Sequence, residues 1–377
     1  MAIYLSVAHL TGKESEFVKE AFDSGWITTV GPQLDRFEEE LQAALRTRKK
    51  VVAVASGTAA IHLGLVRLGV GYGDEVICQD FTFAAGVNPV KYAGAAPVLV
   101  GSEDKTWNLS PQYLEKAIKD RIKVTGKKPK AIIPTDLYGM PALFPEITEI
   151  ADHYGIPVLE DAAEALGSYI AVSGDQIQYC GTFGEYGCLS FNGNKIITTS
   201  GGGALICPGE EEAEAVRFLS TQARDKAPHY QHSQLGYNYR LSNVCAAVGL
   251  GQITSLKEYV QRRRAIFQLY YNELKDIAGG FQPEPSGYFS NRWLTTVLFS
   301  SFEEREQVRL SLESKQIETR PLWKPMHLQP LYASVPYYGE KYEELLFEKG
   351  LCLPSGSILT DEQIIYVCKQ IKLTLKS

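Results

Sequence analysis

The stretch Ser190-Phe191-Asn192-Gly193-Asn194-Lys195 places a lysine on a glycine-containing loop, and Gly201-Gly202-Gly203 begins six residues after the lysine. Upstream, the apolar run Ile156-Pro157-Val158-Leu159 ends in the acidic sequence Glu160-Asp161-Ala162-Ala163-Glu164. The apolar run predicts a buried strand, so Asp161 is expected at the carboxyl edge of a sheet, where open α/β folds bind ligands. These stretches predict an α/β fold with a lysine and a carboxylate at its ligand-binding edge.

A lysine amine and a buried carboxylate in this order are what a pyridoxal phosphate (PLP) enzyme requires. The amine forms a Schiff base with the cofactor aldehyde, and the carboxylate keeps the pyridine nitrogen protonated, so that the ring can accept electrons from a carbanion. A surface lysine or a loop aspartate is the plain alternative for either residue taken alone. Asn194 and the β-branched stretch 196–199 would partly desolvate Lys195. We therefore predict PLP as the cofactor, bound by Lys195 and Asp161.

Strand-like segments alternate with helical patterns along the first 250 residues. The strand-like segments are apolar throughout rather than alternating, which indicates strands buried on both faces of a mostly parallel sheet that helices cover. Strands are predicted at 51–55, 75–78, 96–100, 131–134, 156–159 and 203–207, and helices after 57 and around 111–120, 145–154 and 209–219.

The pattern changes beyond about residue 250. A long helix is predicted over 252–274, followed by a strand at 295–299 and helices at 302–314 and 361–375. This order is typical of a smaller α+β domain packed on the first. We predict a large cofactor-binding domain over residues 1–250, with a mixed, mostly parallel sheet, and a small C-terminal domain over residues 251–377.

Composition excludes several classes of function. The net charge of −6 argues against a nucleic-acid partner, because phosphate binding needs clustered Lys and Arg. None of the seven cysteines forms a CxxC pair, so no metal site and no disulfide framework is indicated. No signal peptide is seen and no apolar run approaches the roughly 20 residues that span a bilayer. We expect a cytoplasmic protein without a membrane partner.

Two features could bind the rest of the cofactor. Ser56-Gly57-Thr58 joins a strand to a helix, where free backbone N–H groups and the Thr58 hydroxyl could hold a phosphate, although an N-cap role explains the same residues. Ser190 could reach the same phosphate. Phe83 could stack on the ring and is preferred over Phe81, with core packing as the alternative. Glu164 could face the ring oxygen or the substrate, or it could be solvated.

Six motifs resemble the DegT/DnrJ/EryC1/StrS sugar aminotransferase family over essentially the whole chain. They are Ser56-Gly57-Thr58-Ala59-Ala60, Thr82-Phe83, Leu137-Tyr138-Gly139, Glu160 to Gly167, Ser190 to Lys195 and Gly236-Tyr237-Asn238-Tyr239-Arg240-Leu241-Ser242. The resemblance implies a fold-type I PLP aminotransferase that works as a homodimer with shared active sites. The roles it implies are Schiff-base formation and acid/base catalysis for Lys195, pairing with the ring nitrogen for Asp161, stacking for Phe83, and phosphate binding for Gly57, Thr58 and Ser190. Asn238 would reach the neighbouring subunit's cofactor and substrate.

A narrower resemblance is to the bacillosamine-pathway aminotransferases, which aminate C4 of a UDP-linked 4-keto-6-deoxy-N-acetylhexosamine. It rests on the segments 192–203, 220–224, 290–294 and 317–324. In that subgroup Trp26-Ile27-Thr28-Thr29 and Arg320-Pro321-Leu322-Trp323 resemble substrate-contacting regions. A basic, aromatic loop suits a UDP diphosphate and its uracil ring.

The sequence therefore predicts transfer of the amino group of L-glutamate to C4 of a UDP-ketosugar. Three alternatives remain: a GDP- or dTDP-linked ketosugar (perosamine type, or amination at C3), a non-catalytic regulator with a PLP fold, and a nicotinamide oxidoreductase. The last is disfavoured because no G-x-G-x-x-G follows a strand. Family relatives that act as dehydratases carry His at the lysine position, so Lys195 argues against that chemistry.

Overall fold

The computed structural model describes residues 2–173 and 176–376, which form twelve α-helices and fifteen β-strands. The helices are α1 Lys13–Ser24, α2 Pro32–Ala44, α3 Gly57–Arg67, α4 Asn88–Tyr92, α5 Pro111–Thr125, α6 Phe144–Tyr154, α7 Glu210–Ser220, α8 Asn243–Ile253, α9 Leu256–Leu274, α10 Phe302–Ser314, α11 Tyr342–Lys349 and α12 Asp361–Leu375. The strands are β1 Lys50–Val54, β2 Glu75–Gln79, β3 Ala96–Val100, β4 Ala131–Ile133, β5 Leu159–Asp161, β6 Tyr169–Ser173, β7 Gln176–Tyr179, β8 Tyr186–Ser190, β9 Gly203–Cys207, β10 Gly280–Phe281, β11 Tyr288–Phe289, β12 Thr295–Leu298, β13 Arg320–Pro321, β14 Tyr337–Tyr338 and β15 Gly350–Leu353.

The central sheet has the order β1-β9-β8-β5-β4-β2-β3-β14. Parallel bridges from Ile132 to Val158 and from Thr135 to Asp161 join its two four-stranded halves. Only β9 runs antiparallel to its neighbours. The prediction of a mixed, mostly parallel sheet is confirmed. Because β1, β2, β5 and β8 run in the same direction, the segments that follow them meet at one edge.

Helices cover both faces of the sheet, and its strands are buried on both sides as their uniform apolar pattern predicted. The approach of α3 to the sheet is close at Gly64. A Cβ on Gly64 would lie 2.9 Å from the Leu159 side chain, so any larger residue would require that side chain to shift. Gly64 therefore lets α3 pack closely on β5.

The C-terminal region forms an antiparallel sheet, β10-β12-β15-β13, whose core is shared with α9, α10 and α12. Two elements cross the predicted boundary at residue 250. Ile3 pairs with Ile317 and packs in this second core, while β14 extends the central sheet beside β3. The division at residue 250 remains a prediction.

Two predicted elements differ from the structure. The strand expected at 156–159 is observed at Leu159–Asp161, so Asp161 is its last residue rather than a loop residue. The helix expected over 252–274 is interrupted between α8 and α9, where the Thr254 hydroxyl donates a hydrogen bond to the Gly251 carbonyl at 2.7 Å and competes with helix continuation. Among the described residues, no helix is long and apolar enough to cross a bilayer.

Candidate active site

A cavity of about 380 Å³ lies at the carboxyl edge of the central sheet. Nine residues that the sequence singled out contribute to its wall: Ser56, Gly57, Thr58, Phe83, Asp161, Glu164, Ser190, Lys195 and Trp323. They lie at or just beyond the ends of β1, β2, β5 and β8, except for Trp323, which lies in the loop before Met326. The structure therefore brings together residues that are up to 267 positions apart in the sequence.

One side of the cavity is the N-terminus of α3. Ser56 is the N-cap, and its hydroxyl accepts a hydrogen bond from the Ala59 N–H at 3.0 Å. A Cβ on Gly57 would lie 3.1 Å from the Ser190 Cβ, so glycine lets Ser190 approach the start of the helix. The first N–H groups of α3 and the hydroxyls of Thr58 and Ser190 form a setting that suits an anion. Ser56 is thus the N-cap of α3, which was the alternative to a phosphate-binding role for this residue.

Asp161 forms the floor of the cavity. Its Oδ1 accepts a hydrogen bond from the Ala163 N–H at 3.2 Å, and the described residues supply no donor to its Oδ2. Gly86 lies so close that a Cβ there would be 3.1 Å from Oδ2. Burial raises the pKa of Asp161, while the Ala163 amide and the charge of Lys195 oppose this rise. A buried carboxylate oxygen without a donor is suited to pair with a cationic N–H group.

Glu164 is buried beside Lys195, which excludes the solvated alternative. Its Oε2 accepts a hydrogen bond from the Tyr138 N–H at 2.6 Å, and its Oε1 lies 3.7 Å from Lys195 Nζ. Burial raises the pKa of Glu164, and the Lys195 charge and the Tyr138 amide oppose this rise. Glu164 therefore places negative charge next to the lysine amine.

Lys195 extends into the cavity from the loop that follows β8. Its backbone N–H donates to the Asn192 carbonyl at 3.0 Å, which closes a tight turn before the lysine. Its Nζ lies 4.0 Å from the centre of the Trp293 ring. Trp293 lines the cavity but was not among the predicted site residues. In the sequence, Trp293 is part of the 290–294 motif, and no neighbouring residue of that motif indicates a contact with Lys195.

Two aromatic rings form the wall across the cavity. Phe83 is 53% exposed, and its ring centre lies 5.1 Å from that of Trp323. Phe81 is fully buried in the core, whereas Phe83 lines the cavity; its stacking on the cofactor ring stays a prediction. The backbone N–H of Trp323 donates to the Tyr138 hydroxyl at 2.8 Å. This bond links the C-terminal region to the loop that holds Glu164.

The other predicted site residues lie outside the cavity of this single chain. Residues 26–29 are exposed, and Asn243 holds their backbone through the carbonyls of Trp26 and Thr28. Asn238 is exposed and forms a bridge with Thr221.

The loop at residues 320–322 also lies away from the cavity. Arg320, with 68% of its side chain exposed, pairs with Glu318 at 3.0 Å. Pro321 pairs with Leu351 of β15. Leu322, predicted to contact substrate, is buried in the core against Gly350, so its side chain faces the core and not the cavity.

A sequence model described as the DegT/DnrJ/EryC1/StrS aminotransferase family matches residues 9–372. The chain belongs to this family. It is 48% identical over 366 residues to EpsN of Bacillus subtilis, whose name describes a PLP-dependent aminotransferase, with 96% of this chain and 92% of EpsN covered. It is 38% identical to the GDP-perosamine synthase of Escherichia coli O157:H7, with 96% and 95% covered.

Solved structures of the DegT/DnrJ/EryC1/StrS family share the fold. An aminotransferase of this family from Brucella abortus is 29% identical, with a TM-score of 0.89 and 97% of this chain and 96% of that chain covered. The PLP form of Spr1654 of Streptococcus pneumoniae, named as a sugar aminotransferase, is 26% identical, with a TM-score of 0.90 and 100% and 99% covered. The protein is thus a PLP-dependent aminotransferase with the expected fold-type I architecture.

The residues of the cavity fit PLP. The start of α3, with Thr58 and Ser190, provides donors for a phosphate, and the open Oδ2 of Asp161 can accept the N–H of a pyridinium ring. Lys195 lines the same cavity and would supply the amine for the cofactor aldehyde. Asn192, which the lysine motif contains but to which the sequence analysis gave no role, also lines the cavity. Thr135 and Gly86 line it as well, and the sequence analysis missed them because only the folded chain brings them to this edge.

Proposed function

We propose that the protein transfers the amino group of L-glutamate to C4 of a UDP-linked 4-keto-6-deoxy-N-acetylhexosamine. The observation that carries the aminotransferase chemistry is the position of Lys195 in one cavity with the buried carboxylate of Asp161. Bound PLP supplies an aldehyde that captures amines and a ring that accepts the electrons of a broken C–H bond.

In this proposal each cavity residue has one task toward the cofactor. Gly57, Thr58 and Ser190 bind the phosphate at the positive end of α3. Asp161 would accept a hydrogen bond from the ring nitrogen and favour its protonated form, because a cationic N–H group offsets the cost of burying the carboxylate. Phe83 covers one face of the ring.

Lys195 moves the protons. Its amine takes the proton from Cα of glutamate and later returns a proton to C4 of the sugar. The Glu164 carboxylate at 3.7 Å from Nζ favours an ammonium that stays within the cavity. The rings of Phe83 and Trp323, with centres 5.1 Å apart, form another part of the cavity wall.

We propose further that two copies of the chain complete the site. Asn238 and residues 26–29 are exposed and lie outside the cavity, as residues that serve a neighbouring subunit would be in a single chain. Arg320 is positioned by Glu318 at the surface, where it can pair with a diphosphate. These residues support a homodimer with shared active sites.

A GDP-linked 4-ketosugar is the second candidate substrate. It is favoured by the 38% identity to a GDP-perosamine synthase across 96% of this chain. The residues around the cofactor are the same in both proposals, because they handle the amine and not the nucleotide.

The test is an assay of the purified holoenzyme with L-glutamate and a panel of UDP-, GDP- and dTDP-linked 4-keto-6-deoxy sugars, read by mass spectrometry. We expect the aminated UDP-sugar as the principal product. Amination of the GDP-sugar alone would replace the proposed substrate by the second candidate. Lys195→Ala is the control and should give no product, and turnover by this variant near the wild-type rate would overturn the role of Lys195.

A further inference from the structure

Trp293 contacts the reactive lysine through the face of its ring. Lys195 Nζ lies 4.0 Å from the ring centre, and Trp293 is only 1% exposed. An aromatic ring attracts a cation over its face, and the attraction is stronger where water is excluded. The indole face and Glu164 therefore contact the same amine, from Trp293 at 4.0 Å and from Glu164 Oε1 at 3.7 Å.

The indole N–H of Trp293 makes a second contact with the lysine loop. It donates to the carbonyl of Asn194 at 2.8 Å, one residue before Lys195. The Ser6 hydroxyl donates to the same carbonyl, also at 2.8 Å. The backbone on which the lysine is mounted is thus held by a residue of the N-terminal segment and by a residue of the C-terminal region.

Arg263 of α9 supports both of these donors. Its guanidinium donates to the Trp293 carbonyl and to the Ser6 hydroxyl. Arg263 is buried, and no carboxylate of the described chain pairs with it, so burial lowers its pKa to about 9. An unpaired buried charge is costly, and here all of the guanidinium's hydrogen bonds go to the groups behind the lysine loop.

We propose that Trp293 is the positioning residue for the Lys195 amine: its ring face holds the ammonium while the amine is free of the cofactor, and its N–H fixes the loop carbonyl beside the lysine. This inference rests on the proposed role of Lys195 as proton carrier. The Lys195 amine must stay within reach of the reacting carbon after glutamate has displaced it from the cofactor. A ring face restrains the amine without competing for its proton. The ring face of Trp293 therefore acts on Lys195 in the state in which the amine is not bonded to the cofactor.

The first experiment measures the accessibility of Lys195 in the cofactor-free protein. Trace acetic anhydride labels the amines at a fixed pH, and peptide mass spectrometry compares the labelling rate of Lys195 with that of Lys91 as an internal reference. Trp293→Leu removes the ring and should raise the labelling rate of Lys195 by about 3- to 10-fold. Trp293→Phe keeps a ring face and should label close to the wild-type rate.

The matched control is Trp107→Leu, which removes an equally buried tryptophan outside the cavity. It should leave the Lys195 labelling rate unchanged, although it lowers the melting temperature. If Trp293→Leu and Trp107→Leu raise the labelling rate of Lys195 equally, the cause is a general loss of stability rather than the loss of the Trp293 ring, and the proposal is wrong. The proposal is also wrong if Trp293→Leu folds and labels at the wild-type rate.

A second measurement uses the holoenzyme and does not depend on the leucine variant. Trp293→Phe loses the donor to Asn194, so the rate of the glutamate half-reaction should fall about 2- to 10-fold, with the glutamate KM and the PLP content unchanged. A wild-type rate in this variant would contradict the role of the N–H. Neither readout involves the ketosugar, so a wrong sugar in the proposed function would leave this inference standing, and a failure here would leave the sugar assignment open to its own assay.

Discussion

The cofactor half and the substrate half of the site differ in how far one chain completes them. The residues around the floor of the cavity are buried and fixed by hydrogen bonds, as with Glu164 to the Tyr138 amide. Of the residues assigned to the substrate, Trp26 and Arg320 are exposed and lie outside the cavity. Leu322 is buried in the core, whereas Trp323 lines the cavity. In the proposed homodimer, one chain supplies the residues for the chemistry, and a second copy would bring further residues to the substrate.

The largest expected effect lies in the cofactor half. Asp161→Asn preserves the shape of the side chain but removes the charge that pairs with the ring nitrogen, so kcat should fall on the order of a thousandfold. The cofactor-free variant should be no less stable than the wild type, because burial already disfavours the Asp161 carboxylate, as its raised pKa shows. Steady-state rates and thermal unfolding of both proteins test this. A variant that retains wild-type kcat would remove the basis for assigning the ring nitrogen to Asp161.

A smaller effect is expected where the two halves meet across subunits. Asn238→Ala should weaken PLP binding about 10-fold, because a hydrogen bond to an anionic phosphate is lost. Co-expressed Lys195→Ala and Asn238→Ala chains should recover activity, because a hybrid dimer has one site with Lys195 from one subunit and Asn238 from the other. The two variants assayed separately are the control. Activity of the mixture no higher than that of the Asn238→Ala homodimer would place Asn238 outside the partner's site.

Most strands of the central sheet were predictable because their sequences are apolar throughout, whereas β8 (Tyr186–Ser190) was not predicted. The segments β1 to β4 and β9 lie within one residue of the predicted positions at both ends. The strand β5 was displaced because Glu160 looks like the end of a strand in sequence. In the structure its carboxylate is buried and accepts hydrogen bonds from the amides of Gly181, Phe183 and Gly184, which the sequence pattern does not reveal.

The remaining differences have the same physical origin in long-range contacts. The hairpin β6–β7 was not predicted, and its first strand is completed by β11, more than a hundred residues away. Trp293 could not be found for the same reason, since its contact with Lys195 spans 98 positions. Residue type, spacing and the family resemblance pointed to groups that the structure brings into one cavity, whereas the groups that position them depend on the tertiary fold.

His327 links the end of β2 to α11 and should give the stability of the protein a pH dependence. Its ring contacts Asp80, which precedes the Phe83 loop, at 2.7 Å and Glu344 at 2.8 Å. Burial opposes the charged ring, but the hydrogen bonds to Asp80 and Glu344 outweigh it and raise the pKa of His327 to about 9. A raised histidine pKa stabilises the folded protein most below the unfolded value of 6.5, and this stability is lost as the pH rises through about 9.

We therefore expect the free energy of unfolding to fall by on the order of 1–3 kcal/mol between pH 6.5 and pH 9.5 because of His327. Urea unfolding at a series of pH values measures this change. His327→Gln should remove most of it, while His229→Gln, at an exposed site, should not. Equal pH dependence in all three proteins would show that the link between Asp80 and Glu344 does not depend on the charge of His327.

The smallest expected effect separates helix capping from cofactor binding at the start of α3. Ser56→Ala removes the acceptor for the Ala59 N–H and should lower the free energy of unfolding by about 1 kcal/mol. The Ser56 hydroxyl already serves as the cap, so PLP affinity should change much less than in Ser190→Ala. Ser301→Ala removes an equivalent cap from α10, at 3.2 Å from the Glu304 N–H and outside the cavity. Equal losses of stability in Ser56→Ala and Ser301→Ala, with PLP affinity reduced only in Ser190→Ala, would assign Ser56 to the helix and Ser190 to the phosphate. A large loss of PLP affinity in Ser56→Ala would instead make Ser56 part of the cofactor half.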